Sequence, residues 1–288
     1  MIVVTGATGQ LGRLVVAALV RKMPASAIVA AVRNADKARD LAAMGLQVRI
    51  ADYNTPSAWD AALRGAEKVL LISSSEIGQR ARQHRSVIDA AKRAGVKLLA
   101  YTSVLRADTS PLGLAAEHKE TESLIRASGV PHVLLRNSWY TENYTMGIPA
   151  ILAAGALYGC AGNGRVASAA RMDYAEAAAA VLTLPDQAGK VYELAGDTAY
   201  THAELADEIS RRAGRKIGYM DLTEAQYRDA LKKAGLPDAY ASLIADSDAA
   251  ASKGALFDDG RQLGELIQRP TTPMSATVAA AMAELGKK

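Results

Sequence analysis

The sequence has little cysteine, few aromatic residues and no long apolar segment. Its single cysteine, Cys160, excludes an intrachain disulfide and favours a reducing compartment. The longest apolar run, residues 149–162, is interrupted by glycines and falls short of the roughly 18 residues that indicate a membrane span. No basic stretch or signal-peptide segment precedes the first apolar run, which starts at Ile2. We therefore expect a cytoplasmic protein without a membrane span.

Charge and histidine content exclude further classes of function. The net charge is only +4, and the basic residues are scattered, so we expect no nucleic-acid partner. The four histidines are widely separated and form no metal-ligand pair, so we expect no metal site. Half of the residues are apolar, which is ample for a folded core. The sequence leaves open whether the chain forms a homo-oligomer.

The first half of the chain alternates between short apolar runs and segments of helical period. Each run is rich in leucine or β-branched residues and is bounded by turn-forming residues, as is typical of strands buried on both faces. Strand–helix alternation of this kind indicates an α/β fold, a Rossmann-type doubly wound parallel sheet. The predicted strands are 2–7, 27–33, 46–52, 68–74, 96–103 and 131–137.

The second half of the chain has a different residue pattern. Alanine-rich helical stretches dominate from about residue 137, with strand-like runs at 190–196 and 216–222. Two helix starts carry capping-box spacing, Thr201 with Glu204 and Thr223 with Gln226. We expect residues 1–136 to form the Rossmann domain, with about 164–196 returning to it. Residues 137–288 are expected to form mainly a smaller, helical, substrate-binding lobe.

Three glycines spaced three apart follow the first predicted strand, in the run VTGATGQLG. Gly6 permits a tight turn, Gly9 lets the backbone approach a pyrophosphate, and Gly12 allows the helix to pack closely on the sheet. The N-terminus of the following helix offers N–H groups and partial positive charge to phosphates. In this strand–turn–helix context the motif predicts a dinucleotide site rather than merely a tight turn.

The end of the second predicted strand indicates which dinucleotide is bound. An NAD site usually has Asp or Glu there, bonded to the ribose 2′-hydroxyl. This chain has Arg33, and a guanidinium suits the 2′-phosphate of NADPH. The alternative is that Arg33 is a surface base and Asp36 binds the ribose of NAD. We expect NADPH as the cofactor.

Several runs resemble the NmrA-like family, atypical members of the short-chain dehydrogenase/reductase superfamily. They are VTGATGQLG, ISSS at 72–75, YTS at 101–103 and LRNSWYTENY at 135–144, together with Arg33. The resemblance covers essentially the whole chain. It is greatest to the bacterial NADPH-dependent quinone reductases of the second type and weaker to the triphenylmethane dye reductases. It implies that NADPH is held by Gly6, Ala7, Thr8, Gly9, Gln10, Leu11, Arg33, Ser73, Ser74, Ser75, Asn137, Ser138, Trp139, Tyr140, Thr141, Glu142 and Arg171.

The Tyr-x-x-x-Lys pair of ordinary short-chain dehydrogenases is absent, because no tyrosine here has lysine four positions on. The comparable stretch reads AAEHKETES, in which His118 and Glu122 share a helix face. This departure argues against alcohol–ketone interconversion and sugar epimerisation. His118 is the one candidate proton donor, with a surface or helix-packing role as the alternative, and the sequence identifies no other catalytic residue.

Hydride transfer to a quinone remains compatible with this sequence. A quinone is a strong electrophile that needs little acid catalysis, so positioning of the nicotinamide against the acceptor accounts for most of the rate acceleration. Trp139, Tyr140 and Tyr144 form an aromatic cluster that suits either a ring-shaped acceptor or packing. We expect an NADPH-dependent reductase of quinones or similar conjugated acceptors, acting without flavin or metal. The alternatives are an NmrA-like redox-sensing regulator that binds a partner protein, and a reductase of triphenylmethane-type dyes.

Overall fold

The computed structural model describes residues 1–286, so the last two residues of the predicted lobe 137–288 lie outside the described residues. The chain divides into two compact units, each assembled from several segments. The first unit comprises Met1–Asp108, Ala116–Asn137 and Arg171–Leu194. The second comprises Thr109–Ala115, Ser138–Ala170 and the described residues from Ala195 onward.

Within residues 1–286, seven parallel strands form the sheet of the first unit, in the order β3-β2-β1-β4-β5-β6-β8. This order confirms the predicted doubly wound α/β fold. Strand β1 pairs with both β2 and β4, so the chain changes direction across the sheet beside β1. The strands are β1 Ile2–Thr5, β2 Ile28–Val32, β3 Gln47–Ile50, β4 Lys68–Leu71, β5 Leu98–Val104, β6 His132–Asn137, β7 Ala156–Gly159, β8 Val191–Leu194 and β9 Gly218–Asp221.

Helices connect the strands in both units. Helix α4, Arg80–Arg93, ends with Ala94 as its C-cap residue and is followed by Gly95 at φ +65°, a left-handed conformation that commonly ends a helix. The helices are α1 Gln10–Val20, α2 Arg39–Ala43, α3 Ala58–Ala62, α4 Arg80–Arg93, α5 Ala115–Ser128, α6 Thr141–Thr145, α7 Ile148–Ala154, α8 Arg171–Thr183, α9 His202–Ala213, α10 Glu224–Lys233, α11 Asp238–Ala251, α12 Gln262–Ile267 and α13 Met274–Leu285.

The core of the first unit lies between its sheet and the flanking helices. Strands β1, β2 and β5 are buried along their whole length, because helices cover both faces of a parallel sheet. Two large aromatic side chains, Trp59 and Tyr101, are fully buried in this core. Burying rings of this size stabilises the unit.

The second unit is mainly helical, with a two-stranded parallel sheet of β7 and β9. Both predicted capping boxes are present: the N–H of Glu204 donates to Thr201 Oγ1 at 3.2 Å, and that of Gln226 donates to Thr223 Oγ1 at 3.3 Å. The sequence did not predict β7, which is short and follows a glycine directly. Over residues 1–286, no helix is both long and apolar enough to span a membrane.

Candidate active site

The glycine-rich loop joins β1 to α1. Gly6 has φ +58°, and the N–H of Gly9 donates to Gly6 O at 2.8 Å, closing a tight turn. A Cβ at Gly12 would overlap Gly6 O and lie 2.8 Å from Ala7 Cα, so the helix start approaches the loop too closely for a side chain. Within the described residues, no side chain caps α1, and its first turn carries no acidic group. The loop therefore fits a pyrophosphate.

Hydrogen bonds tie the ends of β1 and β4 together beneath this loop. Tyr53 Oη donates to Ile72 O at 2.7 Å, which uses its only proton. The hydroxyl of Thr5 consequently donates to Tyr53 Oη at 2.6 Å and accepts from the N–H of Ile72 at 2.9 Å. Burial raises the pKa of Tyr53 far above its usual value, so the phenol stays protonated. The three residues fix the spacing of the two strand ends at the switch point of the sheet.

Residues 73–75, the serine loop, follow β4. The N–H of Ser73 donates to Thr102 Oγ1 at 2.9 Å, and that of Ser74 donates to His84 Nε2 at 2.9 Å. Arg80 Nε donates to Ser74 O at 2.7 Å. These contacts hold the backbone of the loop from β5 and α4, so its position is set by the first unit itself.

His84 connects α4, α5 and the serine loop. Its Nε2 accepts from Ser74, so the ring proton lies on Nδ1, which faces Thr121 Oγ1 at 2.9 Å. Thr121 in turn donates to Glu117 O at 2.9 Å. Burial, and secondarily the charge of Arg80, lower the pKa of His84 to about 3. The sequence does not assign His84 to the site, because its only signal there is a lone histidine in a segment of helical period.

Arg33 lies directly after β2, where the sequence predicts it. Its side chain is 63% exposed, and its Nη1 lies 3.2 Å from Glu76 Oε1. Glu76, which the sequence does not assign to the site, directly follows the serine loop. An acidic residue beside the predicted ribose-binding serines was the signal that could have found it. The pair brings the end of β2 and the loop after β4 into contact.

His118 and Glu122 share the buried face of α5, as their spacing predicts, but they have different partners. His118 Nδ1 lies 2.8 Å from Tyr101 Oη, and the imidazole is 5% exposed. Burial, and then the positive charge of Arg80, hold the pKa of His118 well below its usual range. The imidazole is therefore neutral at neutral pH.

Glu122 belongs to a buried charge network with Arg136. Arg136 donates from Nε to Glu122 Oε1 at 2.9 Å and from Nη2 to Oε2 at 2.8 Å, a bidentate pair. Ser103 Oγ donates to Glu122 Oε1 at 2.6 Å, and Glu193 lies 2.8 Å from Arg136 Nη1. The carboxylate of Glu122 is thus committed to an ion pair that joins α5, β5, β6 and β8.

The remaining predicted cofactor residues are divided between the two units. Asn137 ends β6 and Arg171 begins α8, and both are buried in the first unit. In the second unit, Thr141 Oγ1 lies 2.8 Å from Ser168 Oγ, which lies 2.5 Å from Tyr200 Oη. The N–H of Thr141 donates to Ala169 O at 3.0 Å, and Ala169 donates to Trp139 O at 3.1 Å. Ser138, Tyr140 and Glu142 lie in the same stretch, with Tyr140 as the N-cap residue of α6.

Comparisons with known proteins identify relatives over nearly the whole chain. The chain is 56% identical over 279 residues to quinone oxidoreductase 2 of Escherichia coli, covering 97% of this chain and 98% of that protein. The crystal structure of the E. coli NADPH-dependent quinone oxidoreductase complexed with NADPH matches with a TM-score of 0.96 and 55% identity, covering 98% and 100% of the two chains. Triphenylmethane reductase of Citrobacter sp., complexed with NADP(H), matches with a TM-score of 0.94 and 39% identity, covering 98% and 100%.

A family model provides the general classification. The model for NAD(P)H-binding proteins matches residues 6–185, which begin at the first glycine of the loop and include β2, the serine loop and α5. The match includes most of the first unit. This match and the relatives above agree with the glycine-rich loop that the structure shows. The chain therefore belongs to the NAD(P)H-binding family.

Proposed function

We propose that this chain is an NADPH-dependent oxidoreductase that reduces quinones or similar conjugated acceptors. The observation that carries the proposal is the 56% identity, over nearly its full length, to a bacterial quinone oxidoreductase. The glycine-rich loop, Arg33 and the serine loop supply matching cofactor chemistry at the switch point of the sheet. Neither flavin nor metal has a role in the proposed reaction.

The first unit binds the adenosine half of the cofactor. Gly6–Leu11 and the N-terminus of α1 accept the pyrophosphate, because backbone N–H groups and the helix dipole both favour an anion. Arg33 binds the 2′-phosphate through charge-assisted hydrogen bonds. The serine loop lines the ribose, held in place by His84 and Thr102. The pyrophosphate, the 2′-phosphate and the ribose are thus assigned to residues that follow β1, β2 and β4, respectively.

We assign the nicotinamide end to Asn137–Glu142 and Arg171 on the basis of the resemblance to the family. When bound, the nicotinamide of NADPH supplies the hydride. The protein holds these residues in place. The hydroxyls of Thr141, Ser168 and Tyr200 form a buried series of hydrogen bonds that orients the start of α6. Such pre-organisation accounts for most of the rate expected when the acceptor is a strong electrophile.

Proton delivery places few demands on the protein in this reaction. The hydroquinone anion is much less basic than an alkoxide, so it takes a proton from solvent without a strong acid. Glu122 is committed to Arg136, and the buried His118 is neutral, so neither resembles the acid of a Tyr-x-x-x-Lys enzyme. We therefore propose that His118, the one candidate side-chain donor, contributes little to the rate.

Two other functions remain as alternatives. Similarity to Citrobacter triphenylmethane reductase, at 39% identity, supports cationic dyes as acceptors in the same kind of reaction. A redox-sensing regulator would use the same nucleotide site, bind NADPH and NADP⁺ with different affinities, and turn over neither. The sensor and the enzyme share the absence of Tyr-x-x-x-Lys, so only turnover distinguishes them.

The test is NADPH oxidation with benzoquinone or a naphthoquinone, measured under nitrogen with the enzyme-free rate subtracted. We expect protein-dependent turnover that is faster with NADPH than with NADH, and slower turnover with triphenylmethane dyes. Dye turnover that exceeds quinone turnover would favour the dye reductase. Tight NADPH binding without turnover of any acceptor would favour the sensor.

We also propose that the protein acts in the cytoplasm on a small molecule, without a nucleic-acid partner. Cys160 is a free, buried thiol, and burial raises its pKa to about 12, so it is neither paired nor reactive. A thiol in this state is compatible with a reducing compartment. Cell fractionation with antibody detection tests the location.

A further inference from the structure

We propose that Glu76 tunes the preference between 2′-phosphorylated and unphosphorylated adenine dinucleotides by competing with the phosphate for Arg33. The inference rests on the proposed function, in that Arg33 is taken to face the 2′-position of the ribose. It adds a specificity-determining acidic residue that comes from the loop after β4 rather than from the end of β2. The ligand class is an adenosine with either a 2′-phosphate or a 2′-hydroxyl.

The competition follows from the pairing of Arg33. Its Nη1 lies 3.2 Å from Glu76 Oε1, and the two side chains are 63% and 41% exposed. An exposed pair of this length is weak, so an arriving phosphate can displace the carboxylate from the guanidinium. Displacement nevertheless removes an interaction that the free protein makes, and this lowers the net gain from binding a 2′-phosphate.

Glu76 is anchored independently of Arg33. Its other oxygen, Oε2, accepts from Gln83 Nε2 at 2.7 Å, and Gln83 is fully buried on α4. The same Nε2 lies 3.1 Å from Asn54 Oδ1. The backbone N–H of Glu76 donates to Ser74 Oγ at 3.2 Å, which ties the residue to the serine loop. The carboxylate therefore keeps its place when Arg33 turns to a ligand.

A carboxylate in this place treats the two ligand classes differently. A phosphate monoester carries about −1.5 to −2 charges at neutral pH, and on Arg33 it would lie near the charge of Glu76, which repels it. A ribose 2′-hydroxyl is neutral and can donate to a carboxylate, as in NAD sites. The acidic side chains that follow Arg33 in sequence are already paired: Asp36 with Arg39, and Asp40 with Arg13. Glu76 is thus the carboxylate in direct contact with Arg33.

The test compares ligand binding by wild type and Glu76→Gln, using calorimetry with NADP⁺, NAD⁺, 2′,5′-ADP and 5′-AMP. The amide keeps the size and shape of the side chain and removes its charge. Its one oxygen can still accept from Gln83 Nε2, while an NH2 group replaces the oxygen that faces Arg33. We expect the affinity for NADP⁺ and 2′,5′-ADP to rise about two- to fivefold, the scale of an exposed charge interaction, with no gain for NAD⁺ and 5′-AMP. The gain should shrink at high salt, because exposed charges are screened.

The matched control is Glu67→Gln, an equal charge change in the first unit, at an exposed residue that pairs with the N-terminus and Lys97 before β4 begins. It should leave all four affinities unchanged. An equal gain for phosphorylated and unphosphorylated ligands, or no gain in Glu76→Gln, would overturn the inference alone. Failure of the wild type to bind either dinucleotide would overturn the proposed function as well.

Discussion

His84 Nε2 accepts a hydrogen bond from the backbone N–H of Ser74 at 2.9 Å. This contact links a fully buried histidine on α4 to the serine loop, which we assign to the ribose of the cofactor. Because a backbone N–H is the donor, the accepting nitrogen must be unprotonated. The shape of the loop therefore depends on the protonation state of one buried side chain.

Replacing this histidine tests the link. In His84→Phe the ring remains and Ser74 N–H loses its acceptor, which costs about 1–3 kcal/mol of unfolding free energy. We expect NADP⁺ affinity to fall as well, because the loop is no longer held. Urea unfolding and calorimetry measure the two effects. Ile125→Val, a core change in the same unit, should lower stability and leave NADP⁺ affinity intact; equal affinity losses in both variants would contradict the link.

Stability should depend on pH through the same residue. In the unfolded chain His84 titrates near its usual value of 6.5, whereas in the folded chain its pKa is lowered to about 3. Below 6.5 the unfolded state binds the proton and the folded state does not. The contribution of His84 is therefore complete above 6.5 and is lost as the pH falls toward about 3, by about 1.4 kcal/mol per pH unit.

Urea unfolding of wild type and His84→Phe at a series of pH values between 7.5 and 5 measures this dependence, with the differences taken between the two proteins. We expect the stability advantage of the wild type to shrink as the pH falls below 6.5. If the unfolding free energies of the two proteins stay parallel over that pH range, His84 is not the neutral residue that the structure indicates.

The close packing of Gly12 predicts a strong effect of one methyl group. In Gly12→Ala the added Cβ overlaps Gly6 O, so α1 or the loop must move, at a cost of about 1–3 kcal/mol. We expect NADP⁺ binding to weaken at least tenfold, since the loop no longer fits a pyrophosphate. Gly218→Ala is the control, because no atom lies within 4 Å of its added Cβ and its φ is not positive. Unchanged NADP⁺ binding in Gly12→Ala would rule out this loop as the phosphate site.

Arg33 should distinguish NADPH from NADH. Loss of a charge-assisted bond in Arg33→Ala should weaken NADPH binding by about 1.5–3 kcal/mol, or about 10- to 150-fold, with NADH nearly unaffected. Fluorescence titration with both cofactors measures the change. Arg93→Ala removes an exposed guanidinium paired with Asp60 and should alter neither affinity. Equal losses for the two cofactors in Arg33→Ala would contradict its assignment to the 2′-phosphate.

His118 gives a prediction that separates catalysis from packing. In His118→Phe we expect the quinone kcat to stay within a few-fold of wild type, because the buried imidazole is neutral and the product anion is weakly basic. Stability should fall by about 1–3 kcal/mol, since Tyr101 Oη loses its partner. Steady-state kinetics and urea unfolding measure both. A kcat loss of a hundredfold or more, with the solvent isotope effect altered, would make His118 the proton donor.

The sequence by itself determined the fold class and the glycine loop. Alternating apolar runs and helical segments permit few topologies other than a parallel sheet covered by helices, and the strand order confirms this. Gly6, Gly9 and Gly12 lie within seven residues of one another in the chain, so their spacing alone predicts the tight turn. The two capping boxes are equally local, each complete within four residues.

Only the tertiary structure decided which distant side chains meet. Glu76 reaches Arg33 from 43 positions away, and His84 meets Thr121 from 37 away, so no local pattern reports either contact. Burial likewise altered the chemistry of His118, which the sequence offered as a proton donor and the fold keeps neutral. Spacing along the chain specifies turns and helix starts, whereas charge pairing and desolvation depend on which strand ends lie side by side.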